Sequence, residues 1–275
     1  MSIPSPSTGV LHLGPLRLNA YGVMIALGVI AAVRLAGRRV EKRGIGTRDD
    51  MSSLAMITVP IGIVGARLYH VITDWSRFSN DKFAIIKIWQ GGLGIWGGIL
   101  LAVVSGVFVA RHRGLPIADT LTCVAPALPL AQSIGRWGNW FNQELFGRPT
   151  TLPWALRVSD TSAISAGYKA GTTFHPTFLY ESLACALLCV ALIALDKRVP
   201  MRDGRLFAIY TAGYTAFRFF IEGLRVDQAH HIGGMRLNQW VALFVFLVSS
   251  VVIFAMRGAP AEPAEIETAL PESPD

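Results

Sequence analysis

Four side chains within nine positions define the chemistry open to this chain. Arg136, Asn139, Asn142 and Glu144 lie in Ser133–Arg148, separated by Gly135, Gly138 and aromatic rings, at the close of an apolar run that begins near Leu121. A guanidinium followed by amides at spacings of three is a set of donors aimed at an anion. Arginine's planar fork matches the paired oxygens of a phosphate, as in a lipid headgroup. A second set recurs every four residues: Tyr214, Arg218 and Glu222 share one helical face, with Arg225 near it a turn later. Further candidates are Arg67 with His70, Tyr180 with Glu181 just after His175-Pro176, and Tyr21.

The elements that must position these groups are membrane spans. The chain has 275 residues, of which 52% are hydrophobic and 16% charged, against about a quarter charged in a soluble domain. Its mean hydropathy is +0.45. This composition excludes a soluble globular protein, and the net charge of +7 reflects basic loops between apolar runs, with no nucleic-acid partner implied. A span needs about 20 mostly apolar residues. Seven segments qualify: roughly 18–37, 51–73, 93–111, 119–140, 176–195, 205–222 and 237–256. The expected fold is therefore an all-α integral membrane protein of seven transmembrane helices, preceded by an N-terminal outer segment over 1–17.

Orientation follows from lysine and arginine placement. The first loop carries Arg34, Arg38, Arg39, Lys42, Arg43 and Arg48, which puts it in the cytoplasm, the N-terminus outside and the C-terminus inside. The long connection 141–175, with Pro149, Pro153 and Trp154, reads as an ordered cap on the outer face, and the Ala-, Pro- and Glu-rich tail 257–275 as a disordered cytoplasmic segment. The opening Met-Ser-Ile-Pro-Ser-Pro-Ser has no basic n-region and is not read as a cleavable signal peptide. Cys123, Cys185 and Cys189 all lie in apolar runs without histidine partners, which points to packing, not to a metal site or disulfides. The Gly91–Gly98 run opens the third span and suits close helix packing.

With that orientation, Tyr21, Arg67, His70, Arg136, Asn139, Tyr180, Glu181, Tyr214, Arg218 and Glu222 all come to one depth, the outer leaflet. Each intramembrane charge costs on the order of 2.5–3.5 kcal/mol even on a lenient scale, so such placement marks function. The plainer reading of each residue is an ion pair or an interfacial side chain; Arg218 and Glu222 at i,i+4 can neutralise one another. Agreement of five helices on one depth favours a shared cavity. A transporter of anionic lipids would use the same arginines, but its usual marks, broken helices in paired halves, are not visible. An intramembrane protease is excluded: the chain has no paired-Asp arrangement, no Gly-x-Ser-x-Gly elbow and no His-Glu-x-x-His.

The stretch Gly135-Arg-Trp-Gly-Asn-Trp-Phe-Asn-Gln-Glu144 resembles the signature of the bacterial prolipoprotein diacylglyceryl transferases. Tyr21-Gly-Val-Met, His175-Pro-Thr-Phe-Leu-Tyr-Glu181 and Tyr214-Thr-Ala-Phe-Arg-Phe-Phe-Ile-Glu222 are similar too, so the resemblance covers about residues 10–256. It implies transfer of the diacylglyceryl group of phosphatidylglycerol to the lipobox cysteine of a preprolipoprotein, releasing glycerol 1-phosphate, without a cofactor or metal, in the bacterial plasma membrane. It also implies that Arg136 binds phosphatidylglycerol with Asn139 and Glu144 shaping its site, that Arg218 is a second essential arginine supported by Glu222 and Tyr214, and that Tyr21 is required. Arg67, Asn142, His175 and Glu181 complete the expected substrate-binding set, the last two in orienting roles. Where many relatives carry a histidine proposed as general base, this chain has Trp96. Tryptophan cannot accept a proton, so the base is left among His70, His175, Glu144, Glu181 and Glu222, or the thiol is activated by the arginines alone.

Overall fold

The structure, a computed structural model, describes residues 2–13, 16–78, 81–88, 91–92 and 94–257. The tail from residue 258 lies outside the described residues. Helix α1 runs Ala20–Lys42, started by the Asn19 side chain accepting from Tyr21 N and ended beside Arg39 and Lys42, whose charges favour a helix C-terminus. Helix α2 (Arg48–Thr73) begins with a reciprocal capping box between Thr47 and Asp50. Helix α3 (Ile95–His112) packs on it so closely that a Cβ at Gly97 would stand 2.2 Å from the Gly65 carbonyl oxygen. Here the glycine run does what its composition suggested: it lets two backbones touch.

The fourth expected span is one helical path in three pieces, α4 (Ile117–Val124), α5 (Ala127–Gly135) and α6 (Trp137–Asn142), broken at Ala125–Pro126 and at Arg136. Proline removes a backbone donor and forces the first break. A short helix α7 (Asp160–Ser165) follows, then α8 (Thr177–Arg198), α9 (Arg205–Leu224) and α10 (Leu237–Ala255). Among the described residues, six helical stretches are long and apolar enough to cross a membrane: α1, α2, α3, the α4–α6 path, α8 and α10. The expected span at 205–222 forms helix α9, but Arg205, Arg218 and Glu222 dilute its apolar content and it is not among the six. The outside of the bundle is apolar, with Phe108, Leu187, Phe220 and Val251 about two-thirds exposed or more (70%, 70%, 71% and 68%). Water does not favour such a surface; a bilayer does. The chain is a multi-pass membrane protein.

The expected all-α class needs amendment, because short sheets form where the backbone leaves the helices and must pair its polar groups. Ser2–Pro4 lies parallel to Ala155–Arg157, which pairs antiparallel with Thr173–Phe174; hairpins join Val10–Leu13 to Leu16–Asn19 and His231–Ile232 to Met235–Arg236. Phe146, Leu156, Val158, Ala163, Phe174 and Phe178 form a core of their own beneath the 143–175 segment. Trp140 Nε1 donates to Pro4 O at 3.1 Å, which ties the first residues to this unit. Across the bundle the helices adjoin in the order α3, α2, α1, α5, α8, α9, α10, with α6 between α1 and α8. At the opposite end from the 143–175 unit, Arg39 and Arg43 clamp Asp196 at 2.9 and 2.8 Å.

Candidate active site

The break between α5 and α6 places Arg136, and α8 and α9 bring the acids to it. Arg136 Nε lies 3.1 Å from Glu181 Oε2 in the second turn of α8. Glu181 is buried, and its other oxygen accepts from Arg218 Nη1 at 2.6 Å. Arg218 Nη2 reaches Glu222 Oε2 at 2.5 Å one turn along α9. Glu222 is wholly buried and also takes Arg225 Nη1 at 3.2 Å and the Asn238 amide at 3.2 Å. Arg236 Nε stands 2.9 Å from Glu222 Oε1 as an ion pair off the hydrogen-bond axis. Asp227 closes the chain, paired with Arg225 at 2.7 Å and Arg236 at 2.9 Å.

Arg136, Arg218, Arg225 and Arg236 thus share Glu181, Glu222 and Asp227. Charge is balanced best at the Glu222 end and least at Arg136, which has half of one carboxylate. The two Nη atoms of Arg136 make only long contacts, 3.5 Å to Asn139 Oδ1 and 3.4 Å to Tyr214 OH. Its Nε is fixed while the forked end is held loosely, which is the arrangement a phosphate can claim. Outside the helices, burial raises the Asp227 carboxyl, but hydrogen bonds and charge from Arg225 and Arg236 outweigh it and hold the group below the usual range.

Backbone geometry shapes the other wall. Gln143 (φ 53°) and Leu145 (φ 58°) both adopt the left-handed conformation, uncommon for residues with a Cβ. This turn folds Glu144 back so that its N–H donates to Asn139 O at 3.1 Å and its Oε1 accepts from Asn139 Nδ2 at 3.0 Å and Asn142 Nδ2 at 3.3 Å. Thr177 Oγ1 donates to Leu145 O and pins the turn to α8. Tyr21 enters from α1 and packs against Gly138, where a Cβ would stand 2.5 Å from its ring, within electrostatic range of Glu144 and Arg136. Arg136, Asn139, Asn142, Glu144, Tyr21, Glu181, Tyr214, Arg218 and Glu222 therefore belong to one contiguous cluster.

Two expected site residues stand apart. His175 Nδ1 pairs with Tyr180 OH at 3.1 Å, which also accepts from Trp154 Nε1 at 3.0 Å, so the imidazole braces the 143–175 unit. Arg67 is the clearer departure. It is buried, with its guanidinium on four backbone carbonyls: Ala84 (2.5 Å), Ile85 (2.8 Å), Gly91 (2.6 Å) and Gly92 (2.9 Å). Those bonds engage all three guanidinium nitrogens and fasten the backbone at 84–85 and 91–92 to α2. His70 is likewise engaged, with Nδ1 2.9 Å from Asp74 Oδ2. Trp96 sits on α3, across α2 and α1 from the arginine network. Arg236, Asp227 and Asn238 were not singled out from the sequence; only the fold brings them to Glu222.

Residues 8–255 match the family model described as prolipoprotein diacylglyceryl transferase. The chain belongs to this family. Among its relatives are a phosphatidylglycerol–prolipoprotein diacylglyceryl transferase of Streptomyces coelicolor, 48% identical over 269 residues (96% of this chain and 77% of that one), and one of Streptomyces griseus, 46% identical over 273 residues (98% and 82%). A third, of Cutibacterium acnes, is 45% identical over 260 residues (94% and 87%). The family match thus spans all the residues of the arginine network.

Proposed function

We propose that this protein transfers the diacylglyceryl group of phosphatidylglycerol to the lipobox cysteine of preprolipoproteins, the activity for which its relatives are named. The loosely held fork of Arg136, at the least neutralised point of a buried guanidinium chain, is the observation that carries the reading. In the reaction the cysteine sulfur attacks the glycerol carbon that bears the phosphate ester. The C–O bond breaks, a C–S thioether forms, the thiol proton is lost, and glycerol 1-phosphate departs with the bonding electron pair.

Negative charge grows on phosphate oxygens as that bond breaks, and fixed donors in a water-poor site stabilise it without reorganisation. In this reading Arg136 takes the phosphate with Asn139 and Tyr214 beside it. Glu181 sets the fork's angle, and Arg218, held by Glu181 and Glu222, supplies the second positive charge. Tyr21 and Glu144 close the opposite wall, where the guanidinium field also favours the thiolate over a thiol whose unperturbed pKa is about 8.5. Asn142 steadies Glu144. His175 orients the neighbouring unit, and Arg67 supports the site through the loop it fastens.

The same reading places the protein in the bacterial plasma membrane, with seven crossings, α9 among them. Arg218 and Glu222 are tolerated there because each faces a partner inside the bundle. The N-terminus is outside, 1–17 form an outer segment, 18–256 form the catalytic domain with 141–175 as its outer cap, and the site opens toward the outer leaflet. The test is purified protein with phosphatidylglycerol vesicles and a lipobox peptide, read by mass spectrometry. A diacylglyceryl mass gain on the cysteine, lost in Arg136→Ala and Arg218→Ala, is expected. Folded wild-type protein that gives no adduct would refute the reading.

A further inference from the structure

Beside the arginine network lies a groove of about 440 Å³ that the reaction as described does not use. It runs between the left-handed turn at 143–146, helix α7 and the loop at 226–228. Apolar Phe146 and Val226, the hydroxyls of Thr161 and Ser165, and the carboxylates of Glu144 and Asp227 line it. Both carboxylates belong to the site. Glu144 reaches Arg136 through Asn139, and Asp227 is paired with Arg225 and Arg236. The lining is fixed before any ligand arrives: Gln143 Oε1 accepts from Ser159 N at 2.7 Å and Ser162 Oγ at 3.1 Å, while its Nε2 donates to Pro6 O at 2.7 Å. Glu144 gives Oε1 to two amides, and its Oε2 accepts from no side chain or backbone group among the described residues.

The lining selects among occupants. An acyl chain favours an unbroken apolar wall, and hydroxyls and carboxyls here would lose water to it without hydrogen-bonding in return. A free phosphate ester would meet two carboxylates in the lining. An extended polypeptide suits the mixture, with side chains alternating between the apolar lining and solvent and backbone N–H and C=O groups available to the hydroxyls and to Glu144 Oε2. The substrate supplies such a segment. When its cysteine lies at Arg136, the apolar chain before it is in the bilayer and the chain after it must leave on the outer side, past Glu144.

We propose that this groove binds the first residues on the C-terminal side of the acceptor cysteine as an extended strand, with Glu144 at the junction between groove and reaction centre. The proposal rests on the transferase reading and adds where the protein substrate is gripped. Two lipobox peptides test it, one ending just after the cysteine and one extended by roughly six residues, enough to span about 20 Å as a strand. Thr161→Trp and Ser165→Trp fill the groove from exposed positions that make no contact with the arginine network. Expected is a rise of about tenfold in KM for the long peptide, about 1.4 kcal/mol, with KM for the short peptide and for phosphatidylglycerol unchanged. Wild-type protein should favour the long peptide by a similar factor.

Equal effects on both peptides, or none, would overturn the groove assignment. So would weaker inhibition by glycerol phosphate with peptide KM unaltered, which would give the groove to the released product. Fluorescence anisotropy with both labelled peptides reads the same contrast without turnover. Wild-type protein that discriminates the peptides in binding yet transfers no lipid would therefore sink the activity and spare the groove.

Discussion

Replacing Arg136 by lysine keeps the charge and removes the fork, which makes it the sharpest test of the site. In the structure Arg136 uses Nε for Glu181 at 3.1 Å and leaves both Nη atoms with contacts of 3.4–3.5 Å. Lysine has one nitrogen, which cannot both stay on Glu181 and present two parallel donors to a phosphate. One to two hydrogen bonds to a charged group are lost in the transition state, at about 1.5–3 kcal/mol each when taken singly. Taking roughly 2–4 kcal/mol for the set, kcat/KM falls by about 30- to 1000-fold. The assay is initial-rate transfer to a lipobox peptide at fixed phosphatidylglycerol, followed by mass spectrometry, with thermal unfolding in the same detergent to show that the fold survives. Turnover within about threefold of wild type from folded Arg136→Lys would mean that a point charge suffices. The fork would then not be the phosphate clamp.

Other perturbations separate the network's members. Glu222→Gln removes the carboxylate shared by Arg218, Arg225 and Arg236 at a fully buried position; a loss on the order of 3–5 kcal/mol should appear as a large drop in Tm, and an unchanged Tm would show that the arginines find other partners. Arg67→Met frees the four carbonyls at 84–85 and 91–92, so protease cleavage in that loop should rise while KM for phosphatidylglycerol holds; the reverse pattern would return Arg67 to substrate binding. Asp227 is held below its ordinary carboxylate range by Arg225 and Arg236 against the opposing effect of burial. It therefore contributes stability that is complete above the unfolded value of about 3.9 and is lost as pH falls through the folded one. Asp227→Asn should lower Tm near neutral pH and flatten its fall between about pH 5 and 2; an unaltered Tm profile would remove Asp227 from the stabilising network.

What the sequence determined by itself is what depends on local periodicity and on the cost of charge in hydrocarbon. Tyr214, Arg218 and Glu222 share a helical face by spacing alone, and the Arg218–Glu222 pair follows from i,i+4 geometry. The apolar runs anticipated the long helices among the described residues, and the odd density of polar groups in Ser133–Arg148 marked the candidate site. Lateral neighbours are another matter, because depth in a membrane says nothing about which helix lies beside which. Arg67 and Arg136 carry the same signal in sequence, an arginine near the end of an apolar run. The fold gives one a ring of loop carbonyls and the other half of a buried carboxylate. Glu181 as the bridge between Arg136 and Arg218 required α8 to lie between α5 and α9. Arg236 and Asp227 carry no signal in the sequence, and only the return of the chain into α10 sets them on Glu222 and Arg225. Charge type and helical phase are written along the chain, but the pairing of charges depends on contacts between residues far apart in it, and those exist only once the helices have packed.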